Sequence, residues 1–243
     1  MTVREISREL DEYSDQEEKK KRVAWEKHYG FEPRLHGATT PSIRKVSAKH
    51  YGRIKTRTKA EIFELCEELL NTNYVEERVI AFDWAFRLRK HYERSDFHVF
   101  ESWLNKHVHN WGTCDDLCTH ALGAFIFQFS EYILNVKKWA KSSDRWTRRA
   151  SAVTMIYSVR RRQHLGSVFE TADMLLTDQD VMVQKGYGWM LKEASNKYPK
   201  KVFNYVMKHR RKMPRTSLRY AIEKLPTSLK KEAMKMEAGR KLG

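Results

Sequence analysis

Hydrophobic residues recur every three or four positions along most of the chain, which is the period of an α-helix with one buried face. Ile62, Leu65, Cys66 and Leu69 are one example of this spacing. Alternation of polar and apolar residues, which is typical of strands, is nearly absent. The pattern therefore predicts an all-α fold.

Six breaks in this pattern contain proline, glycine or polar residues of the kind that end and begin helices. They lie at Gly37 to Pro41, Thr72-Asn73, Ser142 to Asp144, Tyr198-Pro199, Met213-Pro214 and Pro226 to Ser228. We expect roughly a dozen helices joined by short loops.

A polar residue that enters an apolar helix recurs at intervals of 37, 34, 36 and 34 residues. Such spacing suits a two-helix repeat of roughly 35 to 45 residues, in which each hairpin buries its apolar face by stacking on its neighbours. It predicts an α-solenoid of HEAT-like helical hairpins with these residues on one concave surface. The alternative is that helices of about ten to fifteen residues give such a period by chance. The five residues are Arg78, Asp115, Arg149, Lys185 and Arg219.

The length of 243 residues is sufficient for one continuous body with a hydrophobic core, so residues 1–243 are expected to form a single HEAT-like repeat domain. The charged run from Asp11 to Arg22, followed by an apolar and aromatic cluster, predicts an N-terminal capping helix region over 1–36. The stretch from about 230 to 243 is basic and is expected to fray.

The charge indicates the kind of partner. There are 47 Lys and Arg residues against 31 Asp and Glu, which gives a formal net charge of +16. A polyanion is therefore the expected partner, with nucleic acid first and an anionic membrane surface second. The concave surface of the solenoid would then be a basic groove.

Two further features bear on location. No stretch approaches the roughly eighteen apolar residues that a membrane span requires. The three cysteines are too few for a disulfide-stapled secreted fold of this size, so a reducing compartment is expected. Both observations favour a cytoplasmic protein.

Cys114 and Cys118 lie four residues apart with His107, His109 and His120 nearby, and ligands at this helical spacing can bind zinc. Structural zinc sites usually need a second ligand pair from elsewhere in the chain, and none stands out. Core cysteines are the favoured interpretation. The chain also lacks a Gly-x-Ser-x-Gly motif and a glycine-rich phosphate loop. No metal and no cofactor are predicted.

Three tryptophans each share a helix face with a polar residue three or four positions away. Taken singly, such a pair is usually a core indole beside a solvated side chain. Repetition on a chain this basic favours a groove for a sugar-phosphate backbone. A carboxylate in that groove would repel phosphate, so its presence needs an explanation. A carboxylate that stabilises a positive charge developing on the substrate would provide one. The pairs are Trp111 with Asp115, Trp146 with Arg149, and Trp189 with Lys185.

Four segments together resemble the AlkD family of DNA glycosylases, which are built from HEAT-like repeats. The resemblance extends over most of the chain. It implies that Trp111 and Trp189 contact the sugar, that Asp115 is the catalytic aspartate and that Arg149 is the groove arginine. The segments are Thr40 to Lys45, Trp111 to Asp115, Trp146 to Ala150, and Gln184 to Trp189.

The chain departs from the family pattern at three places. Asn110 replaces a second tryptophan, Gly112-Thr113 replaces Asp-Ser, and Thr39 stands where a glutamine is expected. These departures bear on the range of substrates.

The resemblance implies a DNA glycosylase of base excision repair that hydrolyses the N-glycosidic bond of N3- or N7-alkylated, cationic purines in double-stranded DNA. A solenoid with a complete groove needs no partner, so a monomer is expected. A cationic base leaves as a neutral molecule, so one carboxylate suffices without a general acid. The lesion would stay stacked or face solvent. The expected phosphate contacts are Arg149, Lys185, Arg44, Arg78 and Arg219.

Two other functions remain open. The first is a non-catalytic AlkD-like protein that recognises distorted or damaged duplexes through the same groove. The second is an α-solenoid adaptor that binds an acidic protein segment. Release of base from methylated DNA separates the glycosylase from both.

Overall fold

The computed structural model describes residues 2–235 and divides the chain into two compact units, 1–129 and 130–243. Within the described residues, regular secondary structure is entirely helical, apart from the isolated bridges Ser14 to Ala38 and Arg34 to Tyr74. The all-helical prediction is confirmed.

The first unit contains eight α-helices and a short 3₁₀ turn at Arg89–His91 among its described residues. The helices are α1 (Val3–Glu12), α2 (Gln16–His28), α3 (Thr40–Ile54), α4 (Lys59–Asn71), α5 (Val75–Arg87), α6 (Asp96–His107), α7 (Trp111–Thr119) and α8 (Ala121–Gln128).

The second unit also contains eight α-helices within the described part of the chain, with 3₁₀ turns at Ser130–Tyr132 and Trp139–Lys141. The helices are α9 (Ile133–Lys138), α10 (Arg145–Val153), α11 (Met155–Arg160), α12 (Leu165–Met174), α13 (Val181–Ser195), α14 (Pro199–His209), α15 (Arg215–Ile222) and α16 (Thr227–Met234).

All six breaks expected from the sequence coincide with helix ends. The described chain has sixteen α-helices where roughly a dozen were expected, and two of the additional helices arise because two apolar stretches are interrupted. A break at His120 separates α7 from α8, and one at Thr154 separates α10 from α11. Neither break contains proline or glycine, so neither was predictable from the pattern of residues.

The N-terminal region folds into two helices, with Asp15 as the N-cap of α2. Its carboxylate accepts hydrogen bonds from the backbone N–H groups of Glu17 and Glu18. At the other end, Lys230 to Met234 belong to α16, so this part of the expected fraying tail is helical. Residues 236–243 of that tail lie outside the described residues.

The core of the first unit is rich in aromatic side chains. Helix α5 packs against α3, α4, α7 and α8. Phe82 and Trp84 of α5 are fully buried, and the ring of Phe82 lies 6.3 Å from that of Trp103. The ring centroid of Trp103 lies 5.5 Å from that of Phe63 and 5.6 Å from that of Phe100. This core fixes the positions of α5 and α7.

The second unit is organised around α13, which packs against α10 on one side and α15 on the other. Gly188 makes the second contact possible. A Cβ atom at this position would lie 2.7 Å from Cβ of Tyr220 and 3.0 Å from the backbone of Ser217. The helices that carry Arg149, Lys185 and Arg219 therefore pack in succession, as expected for stacked helical hairpins.

Candidate nucleic-acid interface

A cavity of about 840 Å³ opens in the first unit between α2, α5 and the first turns of α3 and α7. Trp111 and Arg44, both predicted site residues, line it. So do Trp25, Glu26 and Asp116, which the sequence did not indicate.

A buried polar network holds the loop that leads to this cavity. Glu76 and Glu77, at the start of α5, are both fully buried. Glu76 accepts hydrogen bonds from the backbone N–H groups of His36 and Gly37, at 3.2 and 3.1 Å. Glu77 contacts Nε2 of His36 at 2.9 Å, and Nδ1 of the same ring contacts Asp11 at 2.7 Å. The network ties α1 and α5 to the segment that enters α3.

The ring of His36 lies between the carboxylates of Asp11 and Glu77. Burial disfavours its charge, but its hydrogen bonds to Glu77 and Asp11, together with their negative charges, outweigh that effect and raise its pKa. The ring also stacks on Tyr74, with the centroids 3.8 Å apart. His36 therefore holds the loop in place through two acidic partners and a stacked ring.

Gly37 is required by the backbone at this point. Its φ angle is +101°, and a Cβ atom would lie 3.0 Å from Oγ of Ser14. Glycine is the residue that adopts this conformation at little cost. The closely packed segment at Gly37 leads to Thr39, the N-cap of α3.

Asn110 fixes the first turn of α7. Its Oδ1 accepts a hydrogen bond of 2.8 Å from the backbone N–H of Thr113, which is N-terminal capping. Its Nδ2 donates to Oε1 of Glu26 at 3.2 Å. The residue that departs from the family pattern therefore connects α7 to α2. The next residue, Trp111, is 37% exposed.

Two acids of the cavity each have an unpartnered oxygen among the described residues. They are Oε2 of Glu26 and Oδ2 of Asp116. Glu26 is only 8% exposed, and burial raises its pKa against the lowering effects of Arg22 and Asn110. Asp116 makes an ion pair of 3.2 Å with Nδ1 of His120 through its other oxygen.

The first turns of α3 and α7 both lie at the cavity, and helix N-termini favour anions through their unpaired N–H groups and the helix dipole. The first turn of α3 contains no acidic residue. Arg44 is exposed beside it, and Lys21 of α2 also lines the cavity. The rim can therefore hold a phosphate group.

Asp115 and Arg78, the other predicted site residues of this unit, are not among the residues that line the cavity. Asp115 is half-buried on α7, four positions after Trp111 and so on the same helix face. Arg78 is buried, with 3% exposed, and donates a hydrogen bond of 2.8 Å to Oδ1 of Asn73. Its side chain does not face solvent in this structure. Its role as a phosphate contact stays a prediction.

In the second unit, Arg149 is also buried, and its Nη1 donates to the carbonyl of Met182 on α13. Gly186 leaves room for it, since a Cβ atom there would lie 3.0 Å from Cγ of Arg149. Lys185 is half-buried on α13, and Arg219 is exposed on α15. The Gly-Tyr-Gly sequence is therefore explained by close packing against α10 and α15.

Trp189 is half-buried on α13, and its indole N–H donates a hydrogen bond of 2.9 Å to Glu193. Arg160 pairs with Glu193 at 2.9 Å and lies 5.9 Å from the centre of the indole. The ring is thus held by two neighbours. Trp146, by contrast, is a buried core residue.

Cys114 and Cys118 are fully buried, which matches the favoured interpretation of the sequence. No group of three or more His, Cys, Asp or Glu side chains that could hold a metal ion occurs within residues 2–235. In the same part of the chain, no helix combines the length and apolar character that crossing a bilayer demands.

The fold and charge define an all-helical, strongly basic protein with hairpins stacked in each unit. A family model described as DNA alkylation repair enzyme matches residues 6–225. The chain belongs to this family. No curated protein sequence matches it significantly.

Several solved structures share this fold. One is described as a predicted DNA alkylation repair enzyme from Enterococcus faecalis, with a TM-score of 0.77, 15% identity, and coverage of 88% of this chain and 97% of that one. A second is AlkD2 from Streptococcus mutans, with a TM-score of 0.58, 18% identity, and coverage of 76% and 91%. A third, smu.31 from Streptococcus mutans UA159, has the same TM-score and identity, with coverage of 76% and 94%. At these identities, the likeness concerns the fold.

Proposed function

We propose that the protein is a DNA glycosylase that hydrolyses the N-glycosidic bond of N3- or N7-alkylated, cationic purines in duplex DNA. The observation that carries this proposal is the family match over residues 6–225, in a chain that has both Trp111 and Asp115 on one face of α7. On this proposal the enzyme works in base excision repair as a cytoplasmic monomer without a cofactor.

The reaction breaks the bond between C1′ of the deoxyribose and the base nitrogen. The bonding electron pair leaves with the cationic base, which becomes neutral and needs no proton from the enzyme. Water then adds to C1′ and loses one proton. Asp115 stabilises the positive charge that develops on the sugar and accepts the proton from the water.

Indole faces favour a nearby positive charge by about 1 kcal/mol or more when water is excluded. Trp111 and Trp189 are the residues we assign to this role against the deoxyribose. The exposed indole of Trp111 supports its assignment. Trp189 is assigned from the family resemblance.

We assign the contacts with the phosphate groups of DNA to five basic residues, which are Arg149, Lys185, Arg44, Arg78 and Arg219. Support is strongest at Arg44, which is exposed beside the first turn of α3, and at Arg219, which is exposed on α15. Arg78 and Arg149 are buried, so these two assignments require each side chain to turn outward when DNA binds.

The experiment is incubation of the purified protein with N-methylated duplex DNA, with released bases separated by chromatography. The proposal expects release of 7-methylguanine or 3-methyladenine above the rate without protein. Tight, salt-sensitive binding without base release would instead establish the non-catalytic DNA-binding relative. Weak binding that is unaffected by changes at Trp111 would favour the acidic-peptide adaptor.

A further inference from the structure

Trp25 is the most exposed tryptophan among the described residues, with 54% of its surface accessible. It lies on α2, outside every segment that carries the family resemblance, and it lines the same cavity as Trp111. Large exposed indoles of this kind serve as platforms on which flat rings stack. Two of them at one cavity indicate an aromatic ligand.

The polar atoms of the cavity identify the inward face of that ligand. Glu26 follows Trp25 directly, is more than nine-tenths buried, and has an Oε2 atom without a hydrogen-bond partner. A buried acceptor of this kind is stabilised when a ligand brings an N–H group to it. Asp116 presents a second unpartnered oxygen at the same cavity. The inward face of the ligand therefore carries N–H donors.

The rim of the cavity suits the opposite end of the same ligand. Lys21 and Arg44 are cationic, and the first turns of α3 and α7 favour anions. A nucleotide has these two features, an aromatic end that carries N–H groups and an anionic end, and a nucleotide also suits the proposed binding of DNA. The cavity of about 840 Å³ lies within the range of sites that enclose small molecules.

We propose that this cavity receives an unpaired nucleobase, which stacks on Trp25 and Trp111 and donates N–H groups to Glu26, with its phosphate held by Arg44 and Lys21. Guanine fits best, because its adjacent N1–H and amino group can donate to the free Oε2 of Glu26 and to the second lone pair of Oε1, whose first lone pair accepts from Asn110. Thymine presents a single N–H on that edge. The inference rests on the DNA-binding part of the proposed function and adds a pocket for a base outside the helical stack.

The test uses duplexes that contain a single bulged guanine, a single bulged thymine or no bulge, with affinities measured by fluorescence anisotropy on the full chain. The wild type should bind the guanine bulge about tenfold more tightly than the thymine bulge. Glu26→Gln should abolish this preference and leave affinity for the fully paired duplex unchanged. Equal binding of both bulges by the wild type would overturn the proposal.

Glu18→Gln is the matched control, because Glu18 lies on the same helix, lines the same cavity and loses the same charge. It should keep the preference for guanine. If both variants change the preference equally, the change results from the loss of a negative charge near the cavity and the proposal is wrong.

Trp25→Ala provides a test that does not alter a buried residue. It should weaken binding of bulged duplexes about tenfold and leave the paired duplex unaffected. Equal weakening of all three duplexes would contradict a stacking role.

Base release from methylated DNA is scored separately. Failure of excision with retention of guanine discrimination would reject the glycosylase and keep the pocket. Excision without a preference for the guanine bulge would keep the glycosylase and reject the pocket.

Discussion

Asn110 and Glu26 are joined by a hydrogen bond of 3.2 Å, from Nδ2 of the amide to Oε1 of the buried carboxylate. The bond links the first turn of α7, where Trp111 is presented, to α2, where Trp25 is presented. A tryptophan at position 110, as the family pattern has, could not supply this amide. The departure at Asn110 and the buried acid at Glu26 are therefore one feature of this chain.

Asn110→Asp should keep the cap of α7 and place a second negative charge beside Glu26. Burial already raises the pKa of Glu26, so stability falls as pH rises through that raised pKa, and the added charge enlarges the fall. We expect the variant to lose about 1 kcal/mol more than the wild type between pH 5 and pH 8. Thermal unfolding at both pH values measures this.

The double variant Asn110→Asp with Glu26→Gln is the control for that experiment. Removal of the charge at position 26 should remove most of the additional pH dependence. If the double variant is as pH-dependent as Asn110→Asp, the two side chains do not interact as described.

His36→Gln should destabilise the protein by about 3 kcal/mol at pH 6, because it leaves the buried carboxylate of Glu77 without its cationic partner. The raised pKa sets the pH dependence. Stabilisation by the charged ring is complete below its ordinary pKa of 6.5 and is lost as pH rises through the raised value. Chemical denaturation from pH 6 to pH 9 should therefore show the wild type and variant converging. A deficit that stays constant would mean that His36 is not a charged partner of Glu77.

Gly188→Ala should lower the free energy of unfolding by about 1–3 kcal/mol, because its Cβ atom would meet Tyr220 and the backbone of Ser217. Gly166→Ala is the matched control on α12, where a Cβ atom meets nothing within 4 Å. We expect the control to stay within about 0.5 kcal/mol of the wild type. Equal effects of the two changes would contradict the close contact of α13 with α15.

Arg44→Ala should weaken binding of DNA of any sequence and reduce the slope of log K against log salt by about 1, since one phosphate contact is lost. Arg53→Ala is the comparison, because Arg53 is exposed on the same helix but is paired with Glu5 at 3.4 Å. It should leave the slope nearly unchanged. The same change in slope for both variants would show that Arg44 acts only through net charge.

Helical periodicity was sufficient to predict the fold class, because each helix buries one face and repeats the same spacing. The breaks at Tyr198-Pro199 and Met213-Pro214 were predictable since proline cannot continue a helix from its interior. The break at His120 was not, because Leu117, Cys118, Ala121 and Leu122 on either side keep a spacing that favours a continuous helix.

The candidate site was only partly predictable. Trp111 and Arg44 carry local signals, and both line the cavity. Glu26 lies in a highly charged stretch, where an acid is normally exposed, so its burial depends on Asn110, 84 residues further along the chain. Arg78 was expected on the concave surface because it belongs to the recurring set of polar residues, but its side chain is buried and donates to Asn73.

In the proposed function Asp115 is the acid that carries the chemistry, although Asp116 is the acid of α7 that lines the cavity. The most direct test is the single-turnover rate of 7-methylguanine release from methylated duplex DNA by the wild type, Asp115→Asn and Asp116→Asn. We predict a loss of at least about 100-fold for Asp115→Asn and a change within about threefold for Asp116→Asn, with DNA affinity unchanged in both. Release at the parent rate by Asp115→Asn would contradict the account.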